Sequence, residues 1–322
     1  MIAALPTICP SLRTIDLHQL QRDPMITDAV SKMLLATNRN TLQYFQADSP
    51  LKEEARDVVY KLPRLRALWS IIEGPISLPT LTLPNLVKLV VEYDHDHDWL
   101  QGFRGATFGE LVSVSFLSES KSIGDFLGAF ESAALTTSIP ATLTTFRFDT
   151  PRPWCPKYRS LLSFTQLQKL SISFSCGRGC SSTIDDDIIT EIAQAMPKLT
   201  VLRLGGPPCQ TPTGVTAKGL AALAYHCPDL SMLRIHFQVA HLELPAIPGV
   251  ASGEPVIPRG DCALTTLHVG RITVPEESTL MVAWTLLRIF PRIDNVECLD
   301  NGWRQVMDAI KFSTRTTRRP FG

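Results

Sequence analysis

Two stretches of this chain carry residue types that do chemistry. Asp94, His95, Asp96, His97 and Asp98 stand together in "EYDHDHDWL", and two imidazoles flanked by carboxylates are a donor set for a borderline transition metal. Cys176 and Cys180 in "CGRGC" offer a second pair, soft ligands or a redox couple. Either site would need ligands converging from other elements, and no companion His/Cys cluster stands at a known spacing. The acidic run begins where the strand "NLVKLVV" should turn into solvent, and glycines flank Arg178 as in a turn. The expectation in both places is a solvated turn, with no metal and no cofactor.

Catalytic signatures are equally scarce. A Gly-x-Ser-x-Gly elbow, a phosphate loop, a dinucleotide fingerprint and a His-Glu-x-x-His helix are all missing from the 322 residues. A binding protein and not an enzyme is therefore expected. Basic and acidic residues balance at 31 each, so no global field draws the chain to nucleic acid or to an anionic membrane. The longest nearly uncharged apolar run, "LMVAWTLL", is far too short to span a bilayer. Eight scattered cysteines, most inside apolar patterns such as "YHCPDL", suit free thiols in a reducing compartment. With a start, "MIAALPTICPSLR", that makes a poor signal peptide and no Asn-x-Ser/Thr sequon, the expected address is cytoplasmic or nuclear.

What must position any site is a repeat. A phrase with apolar residues at its first, fourth and usually sixth places returns as "SLRTIDL" from 11, "TLQYFQA" from 41, "RLRALWS" from 64 and "NLVKLVV" from 85. It continues as "ELVSVSF" from 110, "TLTTFRF" from 142, "QLQKLSI" from 166, "KLTVLRL" from 198, "DLSMLRI" from 229, "ALTTLHV" from 263 and "RIDNVEC" from 292. These eleven copies recur about every 28 residues, the period of a leucine-rich repeat, whose unit is a short strand with a helical or irregular return. One unit cannot bury its own leucines, but stacked units share a core. The expectation is an α/β leucine-rich-repeat solenoid, a horseshoe with a parallel concave sheet, helices and loops on the convex side, and one domain over 1–322.

Apolar spacing places helices in the longer returns. Ile26, Ala29, Val30, Met33 and Leu34 share one face, and "SPLKEEARDVVYKL" offers Ser49 as N-cap with Pro50 at the first helical position. Ser122 with Asp125 resembles a capping box, and further helices are expected near 186–196, 217–226, 279–290 and 302–311. The Asp185–Asp187 run suits the dipole at a helix start. Short, proline-marked returns after Leu65, Leu86 and Leu143 are expected as loops. The proline-rich stretch 244–261 reads as a flexible insertion and the basic end 313–322 as a disordered tail.

Alternation along each strand places the residue between the second and third apolar positions on the concave face. In chain order this row is Asp16, Gln46, Trp69, Val90, Ser115, Arg147, Ser171, Arg203, Arg234, His268 and Glu297. Arg203 and Arg234 should stand side by side, with Lys169 and His236 on the same face. The candidate partner-binding residues are Trp69, Arg147, Lys169, Arg203, Arg234, His236 and His268, and the ligand they suit is an acidic or phosphorylated peptide. Ordinary solvated strand charge, with Asp149 as a counter-ion near Arg147, is the alternative.

At "TPTGVTAKGLAALAYHCPDLSMLRIHF", residues 211–237, the pattern resembles the cysteine-containing leucine-rich repeat of F-box proteins, especially the divergent F-box proteins of fungi. Gly219, Leu220, Leu223, Ala224, Cys227, Pro228 and Leu230 fill the places of a helix running into Cys-Pro-x-Leu and the strand. "CPSL" at 9–12 repeats that junction, and "MPKL" and "FPRI" vary it. The resemblance implies a repeat region that captures the substrate of a cullin-type ubiquitin ligase. No stretch long enough for the F-box, which docks on the ligase adaptor, precedes the first repeat, so the chain is expected either as a fragment of a longer one or as a chain that has lost that part; the alternative is a stand-alone repeat scaffold with no ubiquitin role, or a decayed structural remnant.

Overall fold

The computed structural model describes residues 4–17, 23–37, 40–72, 82–93, 107–108, 110–118, 139–150, 157–174, 184–205, 213–239, 262–270, 273–298 and 302–317. The stretches Asp94–Asp98, Cys176–Cys180, 122–130 and 244–261 lie outside them. The fold is α/β with parallel sheets. The chain gathers into two compact units, Met1–Pro151 with Lys157–Gln166, and Arg152–Pro156 with Leu167–Gly322.

Unit one orders β1 (Thr14–Leu17), β2 (Tyr44–Ala47), β3 (Ala67–Ile72), β5 (Lys88–Tyr93), β7 (Ser113–Ser118) and β8 (Thr145–Thr150) side by side, every pair parallel. Two short strands, β4 (Thr82–Leu83) and β6 (Thr107–Phe108), form a separate parallel pair. Unit two orders β9 (Lys169–Phe174), β10 (Val201–Leu204), β11 (Met232–Arg234), β12 (Thr266–Gly270) and β13 (Asn295–Cys298) in the same parallel manner.

The register follows the repeat phase residue for residue. Ile15, Phe45, Leu68, Leu89, Val114 and Phe146 pair across unit one, and Leu170, Leu202, Leu233, Leu267 and Val296 across unit two; all are buried. The first apolar residue of each copy is buried too, from Leu42 through Ile293, except the half-buried Leu12 of the first strand. Each such leucine contributes about 1.5–3 kcal/mol by leaving water, and it does so against its neighbours in adjacent copies. A backbone device repeats with the same phase. Between successive copies within each unit, the carbonyl just ahead of one strand accepts two successive N–H groups from the next copy, as Arg66 O does from Val87 and Lys88, and Thr200 O from Ser231 and Met232.

The returns carry α1 (Leu5–Ile8), α2 (Pro24–Ala36), α3 (Glu53–Val59) and α4 (Ile139–Thr142) in unit one. Unit two carries α5 (Asp186–Ala195), α6 (Ala217–His226), α7 (Thr279–Ile289) and α8 (Gly302–Thr317). The helix expected from Ser49 starts later, with Lys52 as N-cap, because the Lys52 N–H donates to Ser31 Oγ on α2 (3.1 Å) and holds the chain extended there. Two of the short returns hold β4 and β6, and the third holds a 3-10 helix, Lys157–Leu161. Helix α8 runs through Thr317, into the stretch expected as a tail, with Trp303, Val306 and Ile310 fully buried.

Unit two stitches consecutive returns together with part-buried and buried polar contacts. The Asp185 carboxylate caps α5, accepting from Ile188 N (3.0 Å). The neighbouring Asp186 reaches the next return instead, accepting from Thr216 N (2.8 Å), Thr216 Oγ1 (2.6 Å) and Gly219 N (2.9 Å) at the start of α6. A Cβ on Gly219 would lie 2.6 Å from Asp186 Oδ1, so the clamp requires glycine there. At the far end of α6 the Cys227 thiol points at Ala193 O and Met196 O, and the Cys262 thiol at Cys227 O and Leu230 O. Burial pushes the Cys227 thiol up to about 12, so it stays a protonated donor. The Cys227 thiol of the Cys-Pro-x-Leu phrase thus meets the helix end of the copy before, where Ala193 O is left open because Pro197, four residues on, has no N–H to offer.

Candidate functional site

The strand row read from alternation is a row in the structure. In unit two, Ser171 pairs with Arg203, Arg203 with Arg234, Arg234 with His268 and His268 with Glu297. Neighbouring strands lie about 4.8 Å apart, so the two guanidinium groups leave the sheet from adjacent backbones. Two residues earlier on β9, Lys169 is exposed on the same face by alternation.

No carboxylate among the described residues forms an ion pair with Arg203 or Arg234. The contact that Arg203 does make is from Nη2 to the thioether Sδ of Met232 (3.1 Å), one strand over, which positions the guanidinium without neutralising it. Like charges opposite each other across a sheet cost a few tenths to about 1 kcal/mol. An anion lying between them would remove that cost.

His268 closes the row. Its Nδ1 lies 2.9 Å from Glu297 Oε2, and its Nε2 is buried with no hydrogen-bond partner. Burial lowers its pKa, Glu297 opposes that shift, and Arg234 and Arg203 add to it. A neutral ring donates Nδ1–H to Glu297 and leaves Nε2 as an open acceptor beside two cations. Glu297 stood in the strand row without being singled out; its position on the next strand, level with His268, was the available signal.

Not every expected residue joins this group. His236 is buried at 7% exposure, since β11 ends at Arg234 and the alternation does not extend past it. Its backbone carbonyl accepts from Thr213 Oγ1, and burial, helped by Arg234, lowers its pKa. Trp69 and Arg147 belong to unit one. Trp69 is half-buried between Gln46 and Val90, both buried, and its Nε1 has no acceptor. Arg147 is neutralised within its own strand, donating from Nε (2.8 Å) and Nη2 to Asp149 Oδ2.

No protein-family model matches the chain, and neither does any curated protein. What the site can do must come from its own geometry. Among the described residues no cluster of three or more His, Cys, Asp or Glu is placed to hold a metal, and no helix is long and apolar enough to cross a membrane.

Proposed function

We propose that this chain is a protein-recognition module of the leucine-rich-repeat solenoid type, acting by binding and not by catalysis, and that unit two receives an acidic or phosphorylated peptide along its strand row. The observation that carries the reading is the pairing of Arg203 with Arg234, adjacent in register and without a carboxylate counter-ion among the described residues. Planar guanidinium groups grip carboxylate or phosphate oxygens two at a time, and the exposed Lys169 adds a third cation on that face. The resemblance of residues 211–237 to F-box repeats supplies the wider role, the substrate-capturing part of a ubiquitin-ligase adaptor.

The peptide reading is tested by probing a phosphopeptide library with the wild type and with Arg203→Ala/Arg234→Ala. Loss of the retained peptides in the double variant supports it, and equal binding removes it. The ligase role is tested separately, by a tagged pull-down from the native cell read by mass spectrometry. Recovery of a cullin ligase and its adaptor supports that role; recovery of other proteins alone leaves a stand-alone scaffold.

A further inference from the structure

Helix α7 buries Val282, Ala283, Thr285, Leu286 and Ile289 and leaves its other face open. Leu280 is 75% exposed, Met281 46% and Trp284 56%, large apolar groups that a protein surface seldom spends without use. With the half-buried Leu287 and Arg288 and the exposed Pro291 they form one ridge, at helical spacing. The Arg288 guanidinium sits 4.6 Å over the Trp284 ring, so cation and aromatic are already ordered together.

The charges at the two ends of this ridge are opposite. Glu276 and Glu277 precede the helix in the 3-10 turn Glu276–Ser278, while Arg288 and Arg292 close it, and none forms an ion pair among the described residues. A surface that is acid at one end, apolar in the middle and base at the other is complementary to itself when rotated by half a turn. We propose that α7 is the contact of a two-fold homodimer in which the helices of two copies of this chain pack antiparallel. With the axis at Trp284 the two indoles meet, and Met281 faces the second copy's Leu287. Leu280 lies along the aliphatic stem of its Arg288, and Glu276 opposes its Arg292. This contact is separate from the peptide row and does not depend on it. The ridge is short, about 16 Å for a helix of 11 residues, so the expected association is weak, about micromolar.

The test is sedimentation of the full chain from about 1 to about 300 μM, a span that brackets such an affinity. The wild type should associate. Trp284→Ala should weaken association at least about tenfold, as loss of a central aromatic anchor does. Glu276→Arg/Glu277→Arg and Arg288→Glu/Arg292→Glu should each be monomeric alone. Mixed in equal amounts they should pair again, because each then meets the opposite charge at both ends of the contact. Circular dichroism must show wild-type helix content in every variant, so that the readout is association and not folding. A wild type that stays monomeric overturns the proposal, as does association that survives the variants. Two folded charge-reversed variants that fail to pair when mixed, or an α7 that captures another protein while the chain stays monomeric, overturn it equally.

Discussion

The same strand position carries different chemistry in the two units. Along unit one the row reads Asp16, Gln46, Trp69, Val90, Ser115 and Arg147; Gln46 and Val90 are buried, Tyr44 Oη donates to Gln46 Oε1 (2.5 Å), and the one basic residue is held by Asp149. Along unit two the row reads Ser171, Arg203, Arg234, His268 and Glu297; Arg203 is exposed and Arg234 half-buried, and neither forms an ion pair among the described residues. Arg147 and Arg203 are the same residue type at the same repeat position. What separates them is the residue two places on, Asp149 in one strand and Gly205 after the other, because alternation returns that residue to the same face. A charge is available for recognition only where its neighbours leave it unpaired.

If the two rows differ while the cores beneath them match, core truncations should cost alike. Phe146→Ala in unit one and Leu233→Ala in unit two remove fully buried side chains at equivalent positions, and each should lose about 3–4 kcal/mol in urea unfolding. A several-fold difference would mean that the units do not share one packing logic.

The next effect separates two aspartates that both bridge to the following return. Asp186 is part-buried and holds three donors, so Asp186→Ala should cost about 2 kcal/mol. Gly219→Ala should also destabilise the wild type, since its Cβ meets that carboxylate, yet add little once Asp186 is already alanine. The double-mutant cycle in urea checks this.

A smaller effect is pH-dependent and is carried by three histidines of unit two. His226, His236 and His268 are all held below the ordinary imidazole value of 6.5, chiefly by burial. In the window from those lowered values up to 6.5 the unfolded chain binds more protons than the folded one, so stability falls as pH drops through it. The urea midpoint should be lower at about pH 5.5 than at about pH 7.5, and His236→Gln should flatten the slope.

Smallest is the counterpart of Asp186 in unit one. Asp28 bonds to Lys32 and Lys52, which hold its carboxyl down to about 2, and both lysines are exposed to solvent. Exposed pairs of this kind stabilise little, so Asp28→Asn should leave the urea midpoint unchanged.

The phase of the repeat was legible because leucines at its first and fourth places announce a shared core, and the strand rows follow from alternation alone. Three features were not. Asp186 reads as a helix-dipole acid beside Asp185, since its partners Thr216 and Gly219 lie a whole return away. Ser49 reads as an N-cap because Pro50 follows it, but Ser31 on another return decides where α3 begins. His236 reads as a face residue because nothing local marks the end of β11. In each case a contact between copies outweighs a local signal.

Calorimetric titration of one library-selected phosphopeptide into three proteins separates the two rows: the wild type, Arg147→Ala and Arg203→Ala/Arg234→Ala. Arg147→Ala should bind within about twofold of the wild type while the double variant loses about a hundredfold. An unaffected double variant, or an equal loss in Arg147→Ala, would contradict that separation.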